Sequence, residues 1–254
     1  MSPLLEVERV SVDFGGVQAL QDVSFTVQES DFMCLIGPNG AGKTTLLKAI
    51  TGVVTPRAAR IRISGQDITR MPTHRRARMG LALTHQIVRP FRSMDLLDNV
   101  ALAAGHRRIH RVLRAMTSVD RSRQRRRGME LLELVGIGDH ARQSVAGQPL
   151  GVLKRLEVAR ALALDPRILL LDEPLAGLNH VEAGLLADIL KQINAGGLTV
   201  VMIEHNLHEV LRVGRRLVVL DNGRKIADGA PQAVMQMPDV RAAYVGTEKS
   251  DAAA

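Results

Sequence analysis

The chain has 254 residues, 46% apolar and 24% charged, enough to bury a substantial core and too apolar for global disorder. No run of about 18 apolar residues is present to cross a membrane, no basic amino-terminal region leads into an apolar one as in a secretory signal, and a single cysteine, Cys34, excludes an intrachain disulfide. Cytoplasmic residence is the expectation, and the net charge of +8 points to an anionic partner or surface.

In chain order, Leu4–Ser11 and Val23–Val27 alternate in part around Gly15-Gly16, as short strands do. Phe32–Ile36 is a continuous apolar run, the pattern of a strand buried on both faces, and Cys34 within it reads as a small core side chain. The run leads into the loop-forming residues Gly37–Gly42 and then into Lys43–Thr51, where Leu46, Leu47 and Ile50 share a helical face. From about 93 to 147 the chain is polar and helical, with an apolar face at Met129, Leu131, Leu132, Leu134 and Val135, and is expected to be a helical subdomain inserted in one main domain, 1–246. Between His106 and Arg127 it holds nine arginines and one acid, Asp120. That stretch suits a solvated helical face, an anionic membrane surface or an acidic partner. Single-strand binders need stacking platforms, and with four Phe, one Tyr and no Trp the chain offers none there, so no nucleic-acid partner is expected.

From Val152 a helix carries Leu153, Leu156, Val158, Leu162 and Leu164, followed by Pro166 and the strand Ile168–Leu171. A helix over Val181–Ile193 is stopped by Gly196-Gly197, and the strand Leu198–Ile203 follows. Leu217–Leu220 and Lys225–Ala227 flank Asn222-Gly223, which supply the positive φ of a tight hairpin. Residues 247–254 are expected to form a flexible tail. Strands alternating with helices predict an α/β fold with a largely parallel sheet.

The chemistry concentrates at strand ends. Gly37-Pro38-Asn39-Gly40-Ala41-Gly42-Lys43-Thr44 matches G-x-x-x-x-G-K-[ST] in full, between an apolar strand and a helix. Glycines let such a backbone wrap phosphate with its N–H groups, and the helix adds its positive end. Lys43 is placed to reach the β- and γ-phosphates, and the Thr44 hydroxyl to bind Mg²⁺. Ile168–Leu171 runs into Asp172 and Glu173; Asp172 suits Mg²⁺ and Glu173 suits polarising an attacking water. Carboxylates at a strand end are common alone, but parallel strands converge on one crevice. His205 follows the strand Thr199–Ile203 after Glu204, and Gln86 follows Gly80–Leu83. By residue type alone, His205 is more often structural and Gln86 a surface residue.

With these residues in hand, the chain resembles the ATP-binding subunits of ABC transporters over about residues 4–246. The resemblance implies a P-loop NTPase core of ABC ATPase type, with an N-terminal β-subdomain and the inserted helical subdomain. It makes Gly37–Thr44 and Thr45 the Walker A region, Ile168–Asp172 the Walker B strand and Glu173 the catalytic base. His205 is then the switch histidine, Gln86 the Q-loop residue in contact with nucleotide and Mg²⁺, and Phe14 the aromatic that stacks on adenine. Ala176-Gly177-Leu178-Asn179 is similar to the D-loop. The segments Asp172–Asn179, Ile203–Asn206 and Pro238–Gly246 look like those of branched-chain amino-acid importers, a group that includes importers of urea and short amides. One departure stands out: where the family signature has Leu-Ser-x-Gly-Gln, this chain has Gln148-Pro149-Leu150-Gly151-Val152, keeping Gly151 and replacing the serine by Pro149.

The resemblance further implies ATP and Mg²⁺ as cofactors, a second ABC ATPase subunit as partner, membrane permease subunits, and indirectly a periplasmic solute-binding protein. Location would be peripheral, on the inner face of the cell membrane. A soluble ABC-type ATPase of DNA repair or translation, and a regulatory subunit with a degenerate signature site, are the alternative readings.

Overall fold

The computed structural model describes residues 2–84, 89–105 and 122–251. Gln86 and residues 106–121 of the arginine-rich stretch lie outside the described residues.

β1 (Leu5–Phe14) and β2 (Val17–Val27) pair antiparallel across Gly15-Gly16. Their alternation is only partial because β1 bulges: Arg9 takes φ 48°, and the pairing register shifts between Val7 and Val10. The extra residue lets Val7, Val10 and Val12 all face the core. β3 (Phe32–Ile36) follows, then α1 (Lys43–Thr51), β4 (Ala58–Ile63), the short β5 (Gln66–Asp67), α2 (Thr73–Arg78) and β6 (Leu81–Thr84). Arg76 of α2 is buried and donates to the carbonyls of Ala49 and Ile50 at 2.8 and 2.7 Å. It thereby satisfies end carbonyls of α1 that have no partner within the helix.

Next come α3 (Leu96–Ala104), α4 (Ser122–Leu134), a 3-10 turn at Gly138–His140 and α5 (Leu150–Leu162). Leu96, Leu97 and Val100 of α3 and Leu131 and Leu132 of α4 belong to the same apolar cluster as Val152, Leu156 and Val158 of α5. The chain continues through β7 (Ile168–Asp172), α6 (His180–Ala195), β8 (Thr199–Ile203), α7 (Leu207–Val213), β9 (Arg216–Asp221), β10 (Arg224–Gly229), α8 (Pro231–Val234) and α9 (Pro238–Asp251). The expected tail from 247 therefore begins inside a helix, which runs to Asp251 before the chain ends.

Two sheets result. One has four strands in the order β2-β1-β4-β5; the other has six in the order β10-β9-β3-β8-β7-β6. In the second, every pairing is parallel except that of the β9–β10 hairpin. Asn222 and Gly223 turn that hairpin at φ 45° and 76°, the positive values that Asn-Gly accepts at least cost. β3, β7 and β8 are buried at every position because both faces of the sheet are covered. Phe32, Cys34, Ile36, Leu169 and Met202 face α5, α6 and α7, while Met33, Leu35, Leu170 and Val201 face α1 and the four-stranded sheet.

Candidate active site

The loop after β3 depends on glycine at two close approaches. Gly37 takes φ 145°, and a Cβ there would lie 2.0 Å from the carbonyl oxygen of Leu220 in β9. Gly42 takes φ 97°, and its Cβ would lie 2.6 Å from the carbonyl oxygen of Ala19 in β2. The loop is wedged between backbone segments far apart in sequence, and no other residue fits at either point. The amide of Gly223 donates to the Ala41 carbonyl at 3.2 Å, so the β9–β10 turn also braces the loop.

Lys43 opens α1 and is buried. Its ammonium donates to the carbonyls of Gly37 and Pro38 at 2.7 and 2.8 Å, which hold it over the loop. Burial pushes its pKa down, and the charges of Glu173 and Asp172 oppose that shift. In the sheet order β8 separates β3 from β7, yet their ends meet: the Thr44 hydroxyl donates to Oδ1 of Asp172 at 3.1 Å. A cavity of about 200 Å³ is lined by Ala19, by Asn39, Gly40, Ala41, Gly42, Lys43, Thr44 and Thr45, and by Glu173. A wider depression of about 700 Å³ around Ser11, Gln18, Arg57 and Arg224 has no residue of the loop in its lining.

Glu173 takes φ 49° just beyond β7. This left-handed conformation is unusual for glutamate and turns the chain out of the strand. Its amide donates to the Ile203 carbonyl at 3.1 Å, extending the β7–β8 ladder by one residue. His205, beyond β8, is exposed, with Nδ1 3.9 Å from Oε2 of Glu204.

The structure thus brings Gly37–Thr45, Asp172 and Glu173 together, with His205 at the end of the intervening strand. Phe14 stands at the tip of the β1–β2 hairpin, half exposed, and is not among the residues lining the cavity. Gly151 also lies outside that lining. It is the second residue of α5, behind Pro149, which is the residue preceding the helix, and a Cβ on it would lie 2.7 Å from Oε1 of Glu182 in α6.

Two charged residues that sequence reasoning passed over are buried beside the site. Glu204 is 0% exposed and accepts from the amides of Leu175 and His205 at 2.7 and 3.2 Å. Burial raises its pKa, and those amides pull it back down. Lys154 of α5 is 5% exposed and donates to the Glu173 carbonyl at 3.1 Å. The signal was present in the sequence: Lys154 lies three residues from Gly151 and four from Val158, on the stripe of α5 that faces the core.

Among the described residues no helix is long and apolar enough to cross a membrane. Residues 20–176 match the family described as ABC transporter, and residues 224–250 match that described as branched-chain amino acid ATP-binding cassette transporter. The chain is 39% identical over 252 residues to the high-affinity branched-chain amino acid transport ATP-binding protein BraF of Pseudomonas aeruginosa, covering 96% of this chain and 98% of that one. It is 36% identical to LivG of Salmonella typhimurium, of the same description, with the same coverage. It is also 34% identical to the lipopolysaccharide export system ATP-binding protein LptB of Acidithiobacillus ferridurans, over 98% and 99% of the two chains. Among solved structures, the ADP conformation of an ATP-binding cassette of an ABC transporter superposes with TM-score 0.85 at 27% identity, covering 97% of this chain and 100% of that one. With likeness of this kind running the length of both chains, and with the Gly-rich loop and Glu173 lining one cavity, the chain belongs to the ABC transporter family as one of its ATP-hydrolysing cassettes.

Proposed function

We propose that the chain drives an importer for branched-chain amino acids or a related small polar solute. Supporting this is one cavity lined by Lys43, Thr44 and Glu173, with Asp172 bonded to the Thr44 hydroxyl, in a chain whose carboxyl-terminal part matches the branched-chain family. The loop amides and Lys43 grip the phosphates of ATP, and Phe14 stacks on its adenine. The Thr44 hydroxyl and the buried Asp172 carboxylate are hard oxygen donors of the kind that Mg²⁺ takes, and they would hold that ion. Bound there, Mg²⁺ supplies charge neutralisation at the phosphates. Glu173 accepts a proton from water as its oxygen attacks the γ-phosphorus and the bond to the β–γ bridging oxygen breaks, giving ADP and phosphate. His205 orients the γ-phosphate.

In this reading two cassettes face each other head to tail. Gly151 and the first amides of α5 contact the ATP held by the partner's loop, because a helix N-terminus attracts phosphate through its free N–H groups and dipole. Those donors survive the replacement of the signature serine by Pro149. Gln86 and the segment 93–147 meet the cytoplasmic helices of membrane permease subunits, which hold the cassette at the inner face of the cell membrane. A periplasmic solute-binding protein delivers the cargo from the other side.

The test is co-expression with candidate permease subunits, purification in detergent and reconstitution into vesicles containing ATP. Uptake of labelled leucine that needs both ATP and a solute-binding protein is expected, with urea and acetamide as competing cargoes. Full ATPase activity in a chain that never co-purifies with a membrane subunit would overturn the reading and favour a soluble ATPase.

A further inference from the structure

Glu173 holds a backbone conformation that a glutamate does not adopt unaided. Two polar contacts hold its peptide: its amide bonds to the Ile203 carbonyl at 3.1 Å, and its carbonyl receives the Lys154 ammonium at 3.1 Å. The segment that follows is held by Glu204, whose Oε1 accepts from the Leu175 amide at 2.7 Å and whose Oε2 accepts from the His205 amide at 3.2 Å. Glu204 is fully buried and Lys154 nearly so, and Glu204 is the carboxylate that most offsets the burial of the Lys154 charge. Buried charges persist only when paired and hydrogen-bonded. Together these bonds tie α5, the turn carrying Glu173 and the end of β8 carrying His205 to one another.

We propose that Lys154 and Glu204 are positioning residues: a buried ionic brace that sets the backbone of Glu173 and His205 and links both to the helix that begins at Gly151. Movement of α5 is then felt directly at the turn of the catalytic base. Neither side chain touches the reacting atoms. The inference rests on Glu173 acting as the base.

Glutamine cannot replace Glu204, because both of its oxygens accept from N–H groups and an amide would turn a donor toward one of them. Methionine at 154 keeps the length and loses the charge and the donor.

The experiment uses the assembled transporter in detergent, with ATPase kinetics and thermal midpoints measured for each variant. Lys154→Met is expected to lower kcat by about tenfold or more while KM for ATP stays within about threefold, with Lys154→Arg recovering most of kcat. Because the two residues act as one unit, Lys154→Met combined with Glu204→Gln is expected to be no worse than the poorer single variant, within about threefold. If Lys154→Met fails to fold, Lys154→Gln takes its place with the same expectation. Three results overturn the brace: kcat within about threefold of the parent, losses that multiply in the double variant, or Met and Arg falling alike as KM rises and the midpoint drops. Glu173→Gln serves as the control. Normal turnover in that variant overturns Glu173 as the base, whatever Lys154 does, whereas its loss beside a fully active Lys154→Met overturns the brace alone.

Discussion

At the scale of single residues, the Lys43 side chain is anchored on backbone, whereas the Glu173 peptide is held by both a backbone and a side-chain partner. The Lys43 ammonium is bonded to two carbonyls of its own loop, so its charge is centred where phosphate oxygens would bind. Lys43→Ala removes a charge-assisted contact worth about 1.5–3 kcal/mol, and the affinity for ATP is expected to fall by about 10- to 150-fold. Titration with a fluorescent ATP analogue measures this, and unchanged affinity would place the phosphates elsewhere. Glu173 shows how a carboxylate next to a regular strand is aimed: Asp172 is the last residue of β7, and the positive φ of the next residue turns Glu173 toward the cavity.

At the scale of elements, the β9–β10 hairpin supports the phosphate loop through Leu220 and Gly223 and is itself pinned at its far end. Arg216 grips Asp228 with two parallel bonds of 2.7 and 2.9 Å. Burial raises the Asp228 pKa, but the bonds and charges of Arg216 and Lys225 together outweigh it and hold the carboxyl below its ordinary value. A carboxyl lowered on folding stabilises the fold above its unfolded pKa, and that contribution is lost as pH falls through the folded one. Asp228→Asn is therefore expected to cost about 1 kcal/mol at neutral pH and to weaken the fall of Tm with acid, read by thermal denaturation across a pH series. The start of α5 makes a second test. Pro149 precedes the helix, and the free amides that follow it do not depend on a serine hydroxyl. In the assembled transporter Gly151→Asp is expected to abolish ATPase activity, because its side chain would crowd the Glu182 carboxylate and add negative charge at the helix start where phosphate is proposed to bind. Pro149→Ser is expected to change the rate by less than about tenfold. A large gain from Pro149→Ser with a nearly silent Gly151→Asp would mark the native signature as degenerate.

At the scale of the whole molecule, the exposed apolar side chains Leu150, Val181 and Leu185 lie at the start of α5 and in the first turns of α6. Leu150 packs over Gly177, where a Cβ would meet its Cδ2 at 2.9 Å. In the proposed head-to-tail pair this face meets the second cassette, and the closed form is expected to accumulate when hydrolysis stops. Glu173→Gln keeps the shape of the base and removes its charge, so ATP binding is expected to survive, turnover to vanish and a dimer to persist in MgATP. Light scattering with ATP against ADP reads this directly; a monomer under both nucleotides would argue against head-to-tail closure.

The sequence by itself determined the α/β architecture and the phosphate loop, because both rest on short-range rules. Phe32–Ile36 and Lys43–Thr51 have the bounds that periodicity predicts, and Asn222-Gly223 turns where its backbone preference says it must. The continuous apolar run Phe32–Ile36 marked a strand buried on both faces, as it is, and the carboxylates after Ile168–Leu171 stand beside the Gly-rich loop. Other features were decided only by packing. The bulge at Arg9 blurred the alternation of β1, since one extra residue reverses the inward phase. The carboxyl-terminal helix extends past the point where composition suggested a tail. Glu204 was missed because local sequence marks it as an ordinary charge, and Lys154 because its place on one stripe of α5 with Gly151 and Val158 was passed over; only the fold brings β8 and α5 to either side of Glu173 and removes the water that would have solvated them.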